Sequence, residues 1–256
     1  ADRSPGEHYQ LDMEMSFVEQ EDIFNTVEPI FYDLFTKFGN GKKISKKPFK
    51  RITYTESLNK YGTDKPDLRN PLFIEDFTDY FKTKDTTLEI FKKIVSKGGL
   101  VKSIKVNNIS NKPRSFFDNL NKWALEEGAK GLAYLFFEKE KEQLKAKGPI
   151  AKFFSEKIIE KMIINSSISD KDCLFFICDQ SNEAIKFSGI VRQKLAKELN
   201  LINNSTFEFC WIVDFPMFHY DNDQKKIDFS HNPFSMPQVK LEDFDNHDPL
   251  NIKAFQ

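Results

Sequence analysis

Glycine and cysteine are scarce in this chain, with ten and three copies among 256 residues. The cysteines are odd in number, have no metal-ligand spacing, and lie in apolar stretches such as "DCLFFICD". We therefore expect reduced core thiols in a cytoplasmic protein, and neither disulfides nor a zinc site. No apolar run approaches the ~20 residues of a membrane-spanning helix, so we expect no membrane contact.

The common catalytic motifs are missing as well. The sequence has no glycine-rich phosphate loop, no Gly-x-Ser-x-Gly, no His-x-x-x-His and no Cys-x-x-Cys. Its four histidines show no metal-ligand spacing: His8, His219, His231 and His247. We therefore expect no metal site made of these side chains. No pairing of a nucleophile with a general base is evident either.

The chain also lacks an excess of charge of either sign, because it has 38 Lys and Arg residues and 39 Asp and Glu residues. Overall charge thus neither supports nor opposes a nucleic-acid partner, for which local patches decide. One such patch is the segment "GKKISKKPFKR", with the cations Lys42, Lys43, Lys46, Lys47, Lys50 and Arg51. A solvated loop is the commoner explanation of such a segment, and a surface facing phosphates is the alternative.

Phenylalanine, by contrast, is abundant, with 27 copies. A hydrophobic content of 39% and a charged content of 30% are globular values. The length allows a sizeable core in one large or two ordinary domains. The chain opens on "ADRSPGEHYQ" without an initiator Met and stops at "NIKAFQ", so we expect a piece of a longer protein.

The stretch "YQLDMEMSF", residues 9–17, alternates between apolar and polar side chains. A period of two predicts a β-strand with one buried face, made of Tyr9, Leu11, Met13, Met15 and Phe17. The opposite face carries Gln10, Asp12, Glu14 and Ser16. Chemistry alone leaves two interpretations of that polar face: it is simply solvated, or it is one wall of a binding site.

A helix is expected next, ending at Gly39, and Pro29 should bend this helix or break one of its hydrogen bonds. Its apolar residues recur at helical spacing: Ile23, Val27, Ile30, Phe31, Leu34, Phe35 and Phe38. After the basic segment, a short strand should lead into a helix of two turns capped by Thr53 or Thr55. The region "STFEFCWIVDFPMF" reads as one aromatic-rich strand, joined by the turn "HYDNDQKK" to a second, "KKIDFSHNPFSMP".

Between these flanks, helical and extended patterns alternate as in a compact α+β unit. We therefore predict an α+β fold in which an antiparallel sheet flanked by helices, with hairpin-type connections, is interrupted by a smaller α+β insertion. The predicted boundaries are residues 1–72 and 183–256 for the interrupted domain, and residues 73–182 for the insertion.

Several segments, in this order, resemble bacterial-type aspartyl-tRNA synthetase, a class II aminoacyl-tRNA synthetase: "ADRSPGEHYQLDMEMSFVEQEDIF", "KYGTDKPDLRNPL" and "FEFCWIVDFPMF…FSHNPFSMP". Between them, "GAKGLAY" and "KGPIAKFF" resemble the GAD-type insertion domain of those enzymes, which also occurs in a tRNA-dependent amidotransferase subunit. The resemblance implies part of a synthetase catalytic domain that starts within motif 2.

The resemblance also implies roles for particular residues. Gln10 and Asp12 fall where the family binds aspartate and orients the basic groups around it, and His231 falls on the loop that closes over aspartate. Ser4 and His8 occupy ATP-contacting positions, although the family more often has a glutamine and an adenine-stacking phenylalanine there. Residues expected to support these groups are Glu7, Glu14 and Asn232, the last standing where many members have a second histidine.

The main catalytic arginine, the Mg²⁺-binding acids and the motif that makes the homodimer are expected outside this chain. The implied parent is an aspartate–tRNA ligase that uses ATP, L-aspartate and tRNA, while the isolated piece should be inactive. Whether tRNA-Asp alone or also tRNA-Asn is charged stays open. The alternatives are an amidotransferase subunit, or an inactive synthetase paralogue that acts as a tRNA-binding module.

Overall fold

A computed structural model describes residues 6–221, 223–230 and 234–255 of the chain. The α-helices within these ranges are α1 Gln20–Phe38, α2 Tyr54–Tyr61, α3 Glu89–Val95, α4 Arg114–Glu126, α5 Glu156–Asn165 and α6 Ser181–Glu198. Short 3₁₀ turns occupy Thr78–Phe81, Ala151–Phe153, Leu241–Asn246 and Pro249–Asn251. In the described ranges, no helix combines the length and apolar character needed to cross a bilayer.

The first seven strands are β1 Lys43–Ile44, β2 Lys50–Thr53, β3 Ile74–Asp76, β4 Leu100–Val106, β5 Ala133–Glu140, β6 Gln143–Lys147 and β7 Cys173–Asp179. The remaining strands are β8 Thr206–Phe207, β9 Cys210–Val213, β10 Phe215–Pro216, β11 Phe218–Asp221, β12 Lys226–Phe229, β13 Met236–Pro237 and β14 Lys253–Phe255. Helices and largely antiparallel sheets confirm the predicted α+β class.

The main core surrounds a five-stranded antiparallel sheet with the strand order β3-β4-β7-β5-β6. Helices α4 and α6 pack on one face of it, through residues such as Phe117 and Leu195. Helices α3 and α5 pack on the other face, through residues such as Val95 and Met162. Successive residues of a strand point to opposite faces, so both faces receive apolar side chains from the same strands.

Helix α6 joins this sheet to the rest of the chain, since it also contacts α2. Two glycines permit the contact: a Cβ on Gly62 would lie 2.4 Å from the Cα of Gly189, too close for any side chain. Gly62 also ends α2 with a φ of 72°, a left-handed conformation that glycine adopts without strain. The boundaries at residues 72 and 182 stay predictions.

Helix α1 lies against strands from the far end of the chain. Phe24 stacks on Trp211 with ring centroids 4.3 Å apart, and Phe35 meets Phe207 and Phe209 edge-on at 4.8 Å. The buried Glu28 accepts hydrogen bonds from the Trp211 indole N–H at 2.8 Å and the Phe49 amide at 3.0 Å. These contacts anchor α1 to the sheet segment that contains β2 and β9.

The predictions for this helix are partly right. It ends at the predicted Gly39 and contains Pro29, which has no amide hydrogen and so removes one hydrogen bond of the helix, one of the two predicted outcomes. Its predicted apolar face is buried only in part, and Ile30, Leu34 and Phe38 are exposed. Helix α2 is capped by Thr53, whose hydroxyl accepts from the Glu56 amide at 3.1 Å.

The pairing outside the five-stranded sheet differs from the expected hairpins. Strand β1 pairs with β8, and β2 with β9, in parallel. The predicted long strand in "STFEFCWIVDFPMF" is wrong, because Asp214 has a φ of 59° and separates β9 from β10, which pairs antiparallel with β14. The hairpin predicted around "HYDNDQKK" is confirmed as β11 and β12, paired from Phe218 opposite Phe229.

The predicted strand over residues 9–17 is wrong in this structure. The segment runs without secondary structure, and all nine of its side chains are exposed. Leu11 of the apolar row is 75% exposed and Met13 is 41% exposed. A lone strand leaves its N–H and C=O groups without partners, and no described strand pairs with this segment.

Candidate substrate-binding wall

The polar side chains of residues 9–17 form the candidate site, which we call the wall: Gln10, Asp12 and Glu14. The Gln10 side-chain amide donates a hydrogen bond to the Asp12 carboxylate at 3.0 Å. Residues two apart in an extended chain lie on the same side, as the alternation predicts. Within the described chain, this is the contact that brings two predicted site residues together.

The other predicted site residues are not assembled with the wall. Glu7, His8 and Glu14 are exposed and make no ion pair or side-chain hydrogen bond with any described residue. Ser4, His231 and Asn232 lie outside the described residues. The roles assigned to all of these positions stay predictions.

The chemistry of the wall is limited by what surrounds it. An amide and a carboxylate can accept an ammonium group and orient a polar ligand, but the carboxylate of a bound amino acid needs cationic donors. No Lys, Arg or His among the described residues forms an ion pair with Asp12. The wall therefore offers groups that can bind the ammonium of an amino acid, but it offers no cation for the carboxylate.

A buried arginine, which the sequence interpretation missed, organises the loop of residues 62–73. Arg192 on α6 is fully buried and donates to the carbonyls of Leu72 at 2.6 Å, Asn70 at 2.8 Å and Asp67 at 3.0 Å. Its guanidinium also lies over the Tyr61 ring, 5.0 Å from the centroid. The loop contains the segment "GTDKPDLRNPL", so α6 fixes the shape of one of the segments that carry the family resemblance.

The chemistry of Arg192 follows from this burial. Desolvation lowers its pKa to about 10, against the opposing effects of Tyr61 and Asp67, so the guanidinium stays charged at neutral pH. Asn70 completes the arrangement by donating to the Arg192 carbonyl at 3.2 Å. The available sequence signal was the basic residue between the apolar positions Val191 and Leu195 of α6, which both join the main core.

The same loop presents a rigid ion pair at the surface. The guanidinium of Arg69 makes two hydrogen bonds to the Asp67 carboxylate, at 2.9 Å and 2.7 Å. These bonds hold the pKa of Asp67 below its usual value of 3.8, more strongly than burial raises it. Such a bidentate pair has a defined orientation, in contrast to the solvated groups of the wall.

The three cysteines are free thiols; Cys173 and Cys178 are buried as predicted, whereas Cys210 is only partly buried. Burial raises the pKa of Cys173 and Cys210, and it raises the pKa of Cys178 to about 12. A thiol in this state is a weak nucleophile, because the thiolate is the reactive form. In the part of the chain that the structure describes, no group of three or more His, Cys, Asp or Glu side chains could hold a metal ion.

A cleft lies at one end of the five-stranded sheet. It has a volume of about 340 Å³ and is lined mainly by apolar side chains of α3, α4 and β5, with Asp118, Asn121 and Lys130 at its polar positions. None of the described wall residues lines this cleft.

Known proteins resemble this chain along its whole length. It is 53% identical to the Aspartate--tRNA(Asp/Asn) ligase of Pelagibacter ubique over 256 residues, which are all of this chain and 43% of that protein. Proteins of the same name from Beijerinckia indica and Rickettsia felis are 49% and 50% identical, again over the whole chain and 43% and 42% of their own lengths. The chain thus spans less than half the length of these relatives.

The family model for tRNA synthetases class II (D, K and N) matches residues 1–254. The match includes the wall, the five-stranded sheet and the strands after α6. The chain therefore belongs to the class II tRNA synthetases of the D, K and N group.

Proposed function

We propose that this chain is part of the catalytic region of an aspartate–tRNA ligase. The observation that carries the proposal is the identity of about 50%, over all 256 residues, to relatives named Aspartate--tRNA(Asp/Asn) ligase. In the proposed reaction, aspartate attacks the α-phosphate of ATP to give aspartyl-adenylate and pyrophosphate. The terminal ribose of tRNA then takes the aspartyl group, and AMP leaves.

The wall supplies one side of the aspartate pocket in this proposal. Gln10 and Asp12 bind the substrate and orient the basic groups around it, and the hydrogen bond between their side chains supports a shared role. In this proposal His231 donates to a carboxylate of the substrate, and Ser4 and His8 bind ATP. Glu7, Glu14 and Asn232 hold these residues in position.

The chemistry in this proposal is positioning and charge stabilisation, and needs no protein nucleophile. The described residues do not fit a Mg²⁺ site, since no suitable cluster of acidic side chains occurs among them. In this proposal the Mg²⁺ ligands and the main catalytic arginine belong to other parts of the parent enzyme.

Substrate range and assembly are further parts of the proposal. Because the relatives carry names that specify tRNA(Asp/Asn), we propose that the parent charges both tRNA-Asp and tRNA-Asn. We also propose that it is a cytoplasmic homodimer. The match of the family model to residues 1–254 favours a synthetase over an amidotransferase subunit, because it includes the segments on both sides of the insertion.

The decisive experiment is aminoacylation by the longer enzyme that contains this chain. Purified tRNA-Asp and tRNA-Asn should both accept aspartate, and Asp12→Asn should raise the KM for aspartate more than that for tRNA. Asp33→Asn is a suitable control, because Asp33 is exposed on α1 and forms no ion pair with any described residue. If the unaltered enzyme charged neither tRNA with aspartate, the proposed activity would be refuted.

The 256-residue chain alone should not catalyse aspartate-dependent exchange between ATP and pyrophosphate, because its wall offers no cationic partner for the substrate or phosphate. Exchange above that of a mock preparation would show that the adenylation machinery is complete within this chain.

A further inference from the structure

A segment rich in positive charge runs alongside helix α1, from just before β1 into β2. Its cations, which we call the basic stripe, are all exposed: Lys42, Lys43, Lys46, Lys47, Lys50 and Arg51. The sequence has no acidic residue between Asp33 and Glu56. In a chain with a net charge of −1, this is a strong local imbalance.

The basic stripe runs antiparallel to α1, from the C-terminal end of the helix towards its N-terminal end. Near the helix C-terminus, the Lys42 ammonium lies 5.3 Å from the centroid of the Phe207 ring, and Phe207 contacts Phe35. One to two turns back, Lys47 lies over the Tyr32 ring at 4.8 Å.

Near the helix N-terminus, Arg51 pairs with Glu21 at 2.6 Å. The path from Phe35 back to Glu21 covers about 21 Å at 1.5 Å per helical residue. The stripe is therefore a linear surface, and its cations are too widely spread to surround one small anion.

Most of the charge in the stripe has no carboxylate partner among the residues that the structure describes. Arg51 has the Glu21 partner, and Lys50 lies 3.4 Å from the Tyr61 hydroxyl. The other four lysines, at positions 42, 43, 46 and 47, have no carboxylate of a described residue within 4.0 Å. Two of them are held against aromatic rings, which limits their motion without cancelling their charge.

The hairpin of β5 and β6 shows the ordinary arrangement of a lysine-rich surface. Lys147 lies 2.7 Å from Glu138 and 2.8 Å from Glu140, and Lys139 lies 2.7 Å from Glu142. Lysines there are interleaved with carboxylates, whereas the stripe has cations alone. A solvated surface explains the hairpin well but leaves the sign imbalance of the stripe unexplained.

We propose that the basic stripe binds the phosphate backbone of the tRNA substrate. The proposal rests on the proposed function, which makes tRNA a substrate, and it adds the surface that holds it. A row of cations, four of them without a carboxylate partner among the described residues, matches the regular phosphates of a nucleic-acid strand, and contacts of this kind position the molecule without reading its sequence.

The test compares two variants with the same decrease in positive charge, by binding of an unmodified tRNA-Asp transcript to the 256-residue chain. The stripe variant is K42Q/K43Q/K46Q/K47Q, in which glutamine keeps part of the aliphatic stem. The control variant is K145Q/K152Q/K157Q/K161Q, whose lysines are exposed and have no ion pair with a described residue. Lys152 also lies over an aromatic ring, at 5.2 Å from that of Phe153, and so matches Lys42 and Lys47.

At roughly 0.1 M salt, the stripe variant should bind at least about tenfold more weakly than the unaltered chain. Its log–log salt dependence should be shallower by about 0.9 for each phosphate that the variant no longer neutralises. The control variant should keep most of the affinity. Circular dichroism melting of both variants establishes that the chains are folded.

Equal weakening in the two variants would overturn the proposal, since only overall charge would then matter. No weakening in either variant would also overturn it, since the stripe lysines would then make no contribution to binding. In the longer enzyme, the stripe variant should raise the KM for tRNA and leave ATP–pyrophosphate exchange unchanged. If the unaltered enzyme charges no tRNA, the proposed function fails, while the binding comparison still decides whether the stripe holds RNA.

Discussion

Strand β7 and residues 9–17 both have strand-like sequences, yet they have opposite environments. Every residue of Cys173–Cys178 is buried, between β4 on one side and β5 on the other. Residues 9–17 are exposed throughout and pair with no described strand. The alternating pattern is the clearer signal of the two by sequence rules, and it is the one that forms no strand.

The difference teaches that a strand pattern specifies faces, whereas partners decide whether the strand forms. The sequence "CLFFIC" is apolar on both faces because helices cover both sides of the sheet in which it lies. Residues 9–17 can form a strand with one buried face only when another strand makes hydrogen bonds with their backbone N–H and C=O groups. Substitutions in the two regions should therefore have very different effects.

The largest effect is expected for Phe176→Ala in β7. Phe176 is fully buried and contacts the rings of Phe77, Phe81 and Phe154. Removing its ring should leave a cavity and lower the free energy of unfolding by about 3–5 kcal/mol. Urea denaturation followed by circular dichroism measures this decrease, and a decrease below about 1 kcal/mol would contradict the assignment of β7 to the core.

The second-largest loss of stability is expected for Arg192→Met. This substitution removes a buried polar group, in contrast to the exposed polar groups of the wall. The substitution keeps an unbranched side chain but leaves the carbonyls of Leu72, Asn70 and Asp67 without their donor. We expect the free energy of unfolding, measured by urea denaturation, to fall by about 2–4 kcal/mol.

Arg192→Lys provides the comparison variant for this site. It keeps the charge, but one ammonium cannot reproduce the fork of the guanidinium, so the destabilisation should be intermediate. A lysine variant as stable as the unaltered chain would show that charge alone, and no specific geometry, holds the loop.

Some parts of the fold could be predicted from the sequence and others could not. The helix ending at Gly39 and the Thr53 cap follow from local signals of capping. The parallel pairing of β2 with β9 could not be predicted in this way, because it joins residues that are about 160 positions apart. Arg192 was missed for the same reason, since its partners lie more than 100 positions earlier.

The candidate site was only partly accessible to the same reasoning. Alternation placed Gln10 and Asp12 on one side, and their hydrogen bond agrees with that placement. The roles of these residues came from resemblance, because polarity alone does not distinguish a solvated face from a binding face. Their shared orientation is thus a structural result, and their binding of aspartate stays a prediction.

A smaller effect that depends on pH is expected for Asp67→Asn. The hydrogen bonds from Arg69 keep the folded pKa of Asp67 below the 3.8 of an unfolded chain, so the ionised carboxylate stabilises the fold above that pH. The substitution should cost about 0.5–1 kcal/mol at pH 7, since the pair is partly solvated.

The difference between the variant and the unaltered chain should shrink as the pH falls below about 4 and through the folded pKa, because the carboxylate is then protonated in both states. Urea denaturation at pH 7 and pH 3 measures it. A cost that is the same at both pH values would show that Asp67 acts through hydrogen bonding in either protonation state.

The smallest effect is expected for Leu11→Asn in the exposed row. In the 256-residue chain, Leu11 stays largely solvated on folding, so the free energy of unfolding should change by less than about 0.5 kcal/mol. If the longer enzyme pairs this segment with another strand and so buries its apolar face, the same substitution should cost that enzyme about 1.5–3 kcal/mol. Ser16→Ala, on the polar face, is the matched control and should have little effect in either protein. Equally small effects of Leu11→Asn in both proteins would mean that the row stays solvated in the longer enzyme, and the alternation would then be no evidence for a strand.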